Sequence, residues 1–246
     1  GQFSSASAKT SRKTTTENIT SFIQGKNPDI ICLQEFYIDD PSNIKNIFPQ
    51  HPYKYYHLFK IRGNYYFGNL TASKHPIVSK GKITFDKGTN LSIYTDIKLG
   101  DKIIRLYNNH LESYNLSPAS IIKRLKDGIK LSDELKEVHS KMKISNMRRA
   151  HQVDEIVNHI KDCRYRCIVC GDFNDTPLSY TYQQLCSRAK DTFLEGGEGF
   201  SSTYSYLWPF LRIDYILVPE EYTVKNHITP RVRFSDHYPV ITEISE

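Results

Sequence analysis

Hydrophobic and polar positions along this chain follow two rhythms. In the first, short apolar runs end abruptly in polar residues, the pattern of strands. Ile30-Ile-Cys-Leu33 has no polar residue inside it and reads as a strand buried on both faces. Further strands are predicted at 53–59, 65–73, 81–85, 91–99, 102–109, 167–170, 212–218 and 240–244. Leu99-Gly-Asp-Lys102 lies between two alternating runs and predicts a tight hairpin, because Gly-Asp supplies the backbone angles such a turn needs. The second rhythm is helical. A short helix is expected at 16–24 with Gly25 as its stop, and another at 180–185. Over residues 118–162, three apolar groups recur at helical spacing: Ile121, Ile122, Leu125 and Ile129; then Leu135, Val138 and Met142; then Val153, Ile156, Val157 and Ile160. They predict two or three helices with a break near 130–132. Strands and helices intermix without an internal repeat, so residues 1–246 are expected to form one domain.

Composition changes this picture little. With 24% charged and 39% hydrophobic residues, the 246-residue chain is that of an ordinary globular protein. The net charge of +6 permits an anionic partner. Residues 112–149 hold nine Lys or Arg against five Asp or Glu, so most of the surplus sits there, as a solvated helix face or as a surface for nucleic acid. No apolar run approaches the ~20 residues of a membrane span and no signal peptide is visible, so no transmembrane segment is expected in this chain. GQFSSASAKTSRKTTT at the start reads as a loop that leaves the compartment open, and a targeting region is expected to be missing. Cys32 and Cys170 lie in apolar runs and read as buried hydrophobes. Cys163, Cys167 and Cys170 lack the paired CxxC spacing of a zinc site, while a disulfide through Cys163 or Cys186 stays open.

The chemistry gathers where apolar runs end. ICLQE finishes at Glu35, RLYNNH at His110, and CIVCGDFN at Asp172 and Asn174; RIDYILV carries Asp214 near its start, and Ser235-Asp-His237 precedes the last strand. One such acid would be a surface carboxylate or a cap. Five polar strand ends in one sheet would meet at a common rim. Residues two apart on extended chain share a side, so Asp172 and Asn174 are expected to aim at one target. Glu35 and Asp236 together suit Mg²⁺, which takes few carboxylates and keeps its waters. His51, His57 and His75 have no acid partner in the sequence and read as structural. Arg148 and Arg149 read as helix surface. Trp208-Pro-Phe210 reads as an aromatic wall for a base, sugar or lipid, or equally as a packed loop.

LQE at 33–35, NNHL at 108–111, GDFN at 171–174, RIDYIL at 212–217 and SDHYPV at 235–240 together resemble the endonuclease/exonuclease/phosphatase superfamily, over residues 30 to 244. The resemblance implies an α+β fold: a four-layer α/β/β/α sandwich of two mixed sheets flanked by helices. It implies a divalent-metal-dependent phosphoesterase acting on a phosphate-ester substrate, with nucleic acid slightly favoured, and Mg²⁺ or Mn²⁺ as cofactor. By the same resemblance Glu35 binds the metal and Asp236 sits near it. Asp172 orients or deprotonates the attacking water, Asn174 and His110 contact the phosphate, and Asp214 fixes His237 against it. The family's opening strand, ending in an Asn, has no counterpart in residues 1–15. The domain is therefore expected to lack its first strand, through truncation or with an incomplete site. The alternative to an enzyme is a catalytically silent binding or scaffold module of the same fold.

Overall fold

The structure, a computed structural model, describes residues 5–61, 63–85, 88–114, 126, 130–207 and 209–246, without the side chains of 5–15 and 207. The first helix, α1 (Ser5–Lys26), starts earlier than the apolar pattern indicates. It also runs through Gly25. Asn27 adopts the left-handed conformation, with φ of 49°, and its N–H donates to the carbonyls of Ile23 and Gln24 at 3.1 and 3.0 Å. That arrangement satisfies the helix end as a glycine would.

Eleven strands follow within the described residues. In the first group are β1 (Ile30–Ile38), β2 (Tyr53–Lys60) and β3 (Tyr66–Ser73), paired antiparallel in the order β1-β3-β2. The second group has the order β4-β5-β6-β7-β9-β8. It comprises β4 (Ile77–Thr84), β5 (Leu91–Leu99), β6 (Lys102–His110), β7 (Arg166–Asp172), β8 (Lys190–Asp191) and β9 (Asp214–Val218). This sheet is mixed, because β6 and β7 run parallel while the other pairs are antiparallel. The last two strands, β10 (Thr223–Ile228) and β11 (Ile241–Ser245), pair with each other. The inner layer opposite the six-stranded sheet is thus made of two antiparallel pieces.

Alternation along the central strands sorts side chains between two cores. Leu106, Ile168 and Cys170 point inward, where they meet Ile30 and Cys32 of β1 and Ile244 of β11. Their neighbours Tyr107, Val169 and Leu217 point outward, against Val153 and Ile156 of the long helix α2 (Leu131–Lys161) and Tyr182 and Leu185 of α3 (Tyr180–Cys186). A third cluster covers the outer face of β1 and β3 with Ile44 and Phe48 from the 3₁₀ turn at Pro41–Asn46 and its exit. The expected four-layer sandwich is present. A short helix, α4 (Thr192–Gly196), closes the far edge beside β10.

Helix α2 begins at the predicted break and is then continuous over 31 residues. Leu135 and Met142, expected in its core stripe, are exposed. The turns before 130 lie mostly outside the described residues, as does Trp208. All five cysteines are free thiols. Among the described residues, no helix is long and apolar enough to cross a membrane.

Candidate active site at the rim of the two sheets

Strand pairing builds the centre of the site. In register, His110 of β6 stands opposite Asp172 of β7, and Asp172 opposite Asp214 of β9. Directly opposed residues project to the same side of a sheet. One rung therefore carries imidazole, carboxylate and carboxylate across three strands. His237 arrives from the loop before β11, and its Nδ1 donates to Oδ2 of Asp214 at 2.8 Å. Ligand atoms of Asp172, Asp214 and His237 all lie within 4.8 Å of one another.

The close approach of β6 and β7 depends on Gly171. Its φ is 128°, and a Cβ there would collide with the backbone oxygen of Asn109. No other residue type fits both the angle and the space.

Glu35 comes from the opposing layer, and a bulge aims it. Pairing between β1 and β3 shifts between Leu33 and Phe36, so Gln34 and Glu35 together oppose the single residue Asn69. Glu35 adopts φ of 49°, uncommon for a residue with a side chain. Its Oε1 lies 3.3 Å from Nε2 of His110. The bulge is braced from the other sheet by Asn108. That side chain accepts from Gln34 Nε2 at 2.7 Å and donates to the carbonyls of Leu33 and Leu70 at 3.3 and 3.0 Å.

Asn174 meets Asp172, though not by strand alternation as expected. Beyond β7 the chain turns, and Asn174 is left-handed at φ of 52°. Its backbone N–H donates to Asp172 Oδ1 at 2.8 Å, and its Nδ2 donates to Asp172 Oδ2 at 3.0 Å and to the Leu111 carbonyl at 2.9 Å. Asp236 is exposed, accepts from the Ser235 hydroxyl at 3.1 Å, and adds negative potential at His237. It lies outside the cluster of close ligand atoms among the described residues.

Electrostatics separate these groups. Burial, then the neighbouring Asp214, pushes Asp172 up to about 7 against the pull of His237, His110 and Asn174. For His237, burial lowers the value, but the charge and hydrogen bond of Asp214 outweigh it and raise it to about 10. His110 is also raised: burial opposes the proton, while Glu35 and Asp172 favour it. Glu35 is lowered, chiefly by its contact with His110. The rim is thus a set of acids and imidazoles with opposed proton affinities, as acid–base chemistry requires.

Sequence reasoning missed the support behind this rim. Arg149 was expected on the helix surface and is 0% exposed. It donates to Asp175 Oδ2 at 3.1 Å, to the Glu112 carbonyl at 2.5 Å and to Asn146 Oδ1 at 2.6 Å, with Tyr114 stacked 4.2 Å away. Asp175 also accepts from the Thr181 hydroxyl at 3.2 Å. The available signal was a second acid in GDFND, three residues after the first. Of the three histidines read as structural, His51 fits well: it is buried, with Nε2 2.7 Å from the Pro28 carbonyl.

Fold and rim together define an α/β/β/α sandwich with a carboxylate–imidazole centre where its layers meet. The sequence profile described as Endonuclease/Exonuclease/phosphatase family matches residues 3–237, and the chain belongs to that family. Solved structures similar to it include an endonuclease/exonuclease/phosphatase from Beutenbergia cavernae (TM-score 0.70, 16% identity). The match covers 93% of this chain but only 65% of that one. A mannosyl-6-phosphatase from Bacteroides thetaiotaomicron has TM-score 0.68 and 18% identity, covering 100% of this chain and 96% of that one. Truncated TDP2 from Caenorhabditis elegans has TM-score 0.61 and 17% identity, covering 92% and 88%. No curated protein matches the sequence.

Proposed function

We propose that this chain is a phosphoesterase that hydrolyses phosphate esters by attack of an Asp172-held water. The rung His110–Asp172–Asp214, completed by His237, carries the reading. Asp172, with its raised proton affinity, takes the proton of that water as it attacks phosphorus. Asn174 spends its amide hydrogens on Asp172 and the Leu111 carbonyl, and so aims the carboxylate. Asp214 fixes His237 through Nδ1, which leaves Nε2 for a phosphoryl oxygen. His110, whose Nε2 faces Glu35, adds positive charge from the other flank.

Asp172 and Asp214 hold hard carboxylate oxygens close together, and Glu35 stands against His110 on the same rim; such oxygens fit Mg²⁺ or Mn²⁺ better than zinc. Glu35 would hold such a cation, and Asp236 would add negative charge beside His237. Bound there, the cation would supply positive charge to the phosphoryl oxygens.

Assay of bis-p-nitrophenyl phosphate with Mg²⁺ or Mn²⁺, beside Asp172→Ala, tests the proposal. Metal-dependent release that the variant loses is the expected result. Release equal in both proteins removes Asp172 from the chemistry. No release with either cation, on this diester or on p-nitrophenyl phosphate, favours the silent binding module.

A further inference from the structure

Each histidine of the centre has an aromatic pair beside it. On the β6 flank, Phe67 stands 6.0 Å from His110 between ring centroids, and Tyr37 lies 4.9 Å beyond Phe67. On the β9 flank, Tyr204 lies 5.3 Å from His237, and Tyr206 lies 5.5 Å beyond Tyr204. The inner rings are covered to different degrees, but the outer ones face solvent: Tyr37 is 50% exposed and Tyr206 71%.

The second pair sits on an anchored loop. Tyr204 bridges to His237 through the backbone, its N–H donates to the Leu211 carbonyl at 3.2 Å, and the Ser205 N–H donates to the Asp236 carbonyl at 2.8 Å. Buried Thr203 accepts from the N–H groups of both Ile213 and Asp214 at 3.0 and 3.1 Å. A loop tied this firmly beside the catalytic pair has little freedom to lose when something docks on its rings. Tyr37 is held similarly by the β1–β3 ladder, two residues past Glu35.

The flanks matter because His110 and Asp214 stand on strands either side of β7, about 10 Å apart at ordinary strand spacing. A phosphorus atom over Asp172 would have one aromatic pair to each side. A monoester has one substituent to offer them; a diester has two. We infer that Tyr37 and Tyr206 are specificity-determining residues that stack on planar rings carried by both substituents of a phosphodiester, as single-stranded nucleic acid presents them. Bases in a duplex have their faces occupied by one another, so the strand must be unpaired or splayed. The inference deepens the phosphoesterase reading and takes the site from it.

Fluorescence anisotropy with two end-labelled oligomers tests it, in chelator so that nothing is hydrolysed. One oligomer is eight thymidylates; the other is eight abasic tetrahydrofuran units on the same backbone. Phosphate contacts are common to both and cancel in the comparison. The native protein should bind the thymidylate oligomer at least about tenfold more tightly. Tyr37→Leu and Tyr206→Leu should each lose about tenfold on it and change little on the abasic one, while Tyr37→Phe and Tyr206→Phe keep the preference. Equal binding of the two oligomers by the native protein overturns the inference, as do losses of equal size on both. The two readings fail separately. A thymidylate preference without hydrolysis of any ester on adding Mn²⁺ keeps the ring grip and sinks the phosphoesterase. Hydrolysis of bis-p-nitrophenyl phosphate without that preference does the reverse.

Discussion

Asp172, the last residue of β7, and Asp175, in the turn three residues on, are buried to nearly the same degree at 6% and 8% exposure and live in opposite conditions. Asp175 faces a buried guanidinium and two hydroxyls, those of Thr181 and Tyr114. Among the described residues, the side chain of Asp172 accepts hydrogen bonds from Asn174 alone, and a second carboxylate stands opposite it. A buried acid matched by a guanidinium has its charge compensated, and the pair ties together the elements it touches. One set against another acid is held at a cost and stays reactive. The contrast shows how one sequence segment both builds its support and exposes its chemistry.

The largest expected effect separates the two. Asp172→Asn should lower turnover of bis-p-nitrophenyl phosphate by about 10³-fold or more, because the base is gone. Its urea midpoint should stay unchanged or rise, since the ionised form burdens the fold. Retained activity would break the contrast from the Asp172 side. Arg149→Met should act in the other sense and destabilise by about 3–5 kcal/mol in urea unfolding, by stranding Asp175. Asp175→Asn keeps part of the network and should cost less, about 1–3 kcal/mol. Full stability in Arg149→Met would show that the clamp carries no load.

The smallest effect is a pH dependence. Asp172 is raised to about 7 from an ordinary 3.8, so the fold favours its protonated form. That contribution is whole below pH 3.8 and is lost as pH rises through about 7. In chelator, the stability of the native protein relative to Asp172→Asn should therefore decline across this window. A flat difference would place the strain elsewhere.

Much of the architecture was legible because burial on two faces leaves a plain mark. β5 runs from Leu91 to Leu99 as its alternation predicts, and ICLQE and CIVCGD both lead into the rim. β8 and β10 escaped notice. The first is two residues long, and the second, TVKNHI, is largely exposed at an edge and so has little apolar signal. The placing of Glu35 was equally hidden, because a bulge is a relation between two strands and leaves no trace in either alone. Arg149 misled for a similar reason. Charge in a helix reads as surface until the carboxylate it meets, 26 residues on, is folded against it.

The carboxamide of Asn108, rooted in the six-stranded sheet, grips the backbone of the other layer at Leu33 and Leu70. Glu35 and Asp172 belong to different layers, so their separation is set by how those layers stack. Any slippage between the two would spoil the alignment while leaving each sheet whole. Under the proposed mechanism, turnover would be a gauge of interlayer spacing, and its loss would run ahead of loss of structure.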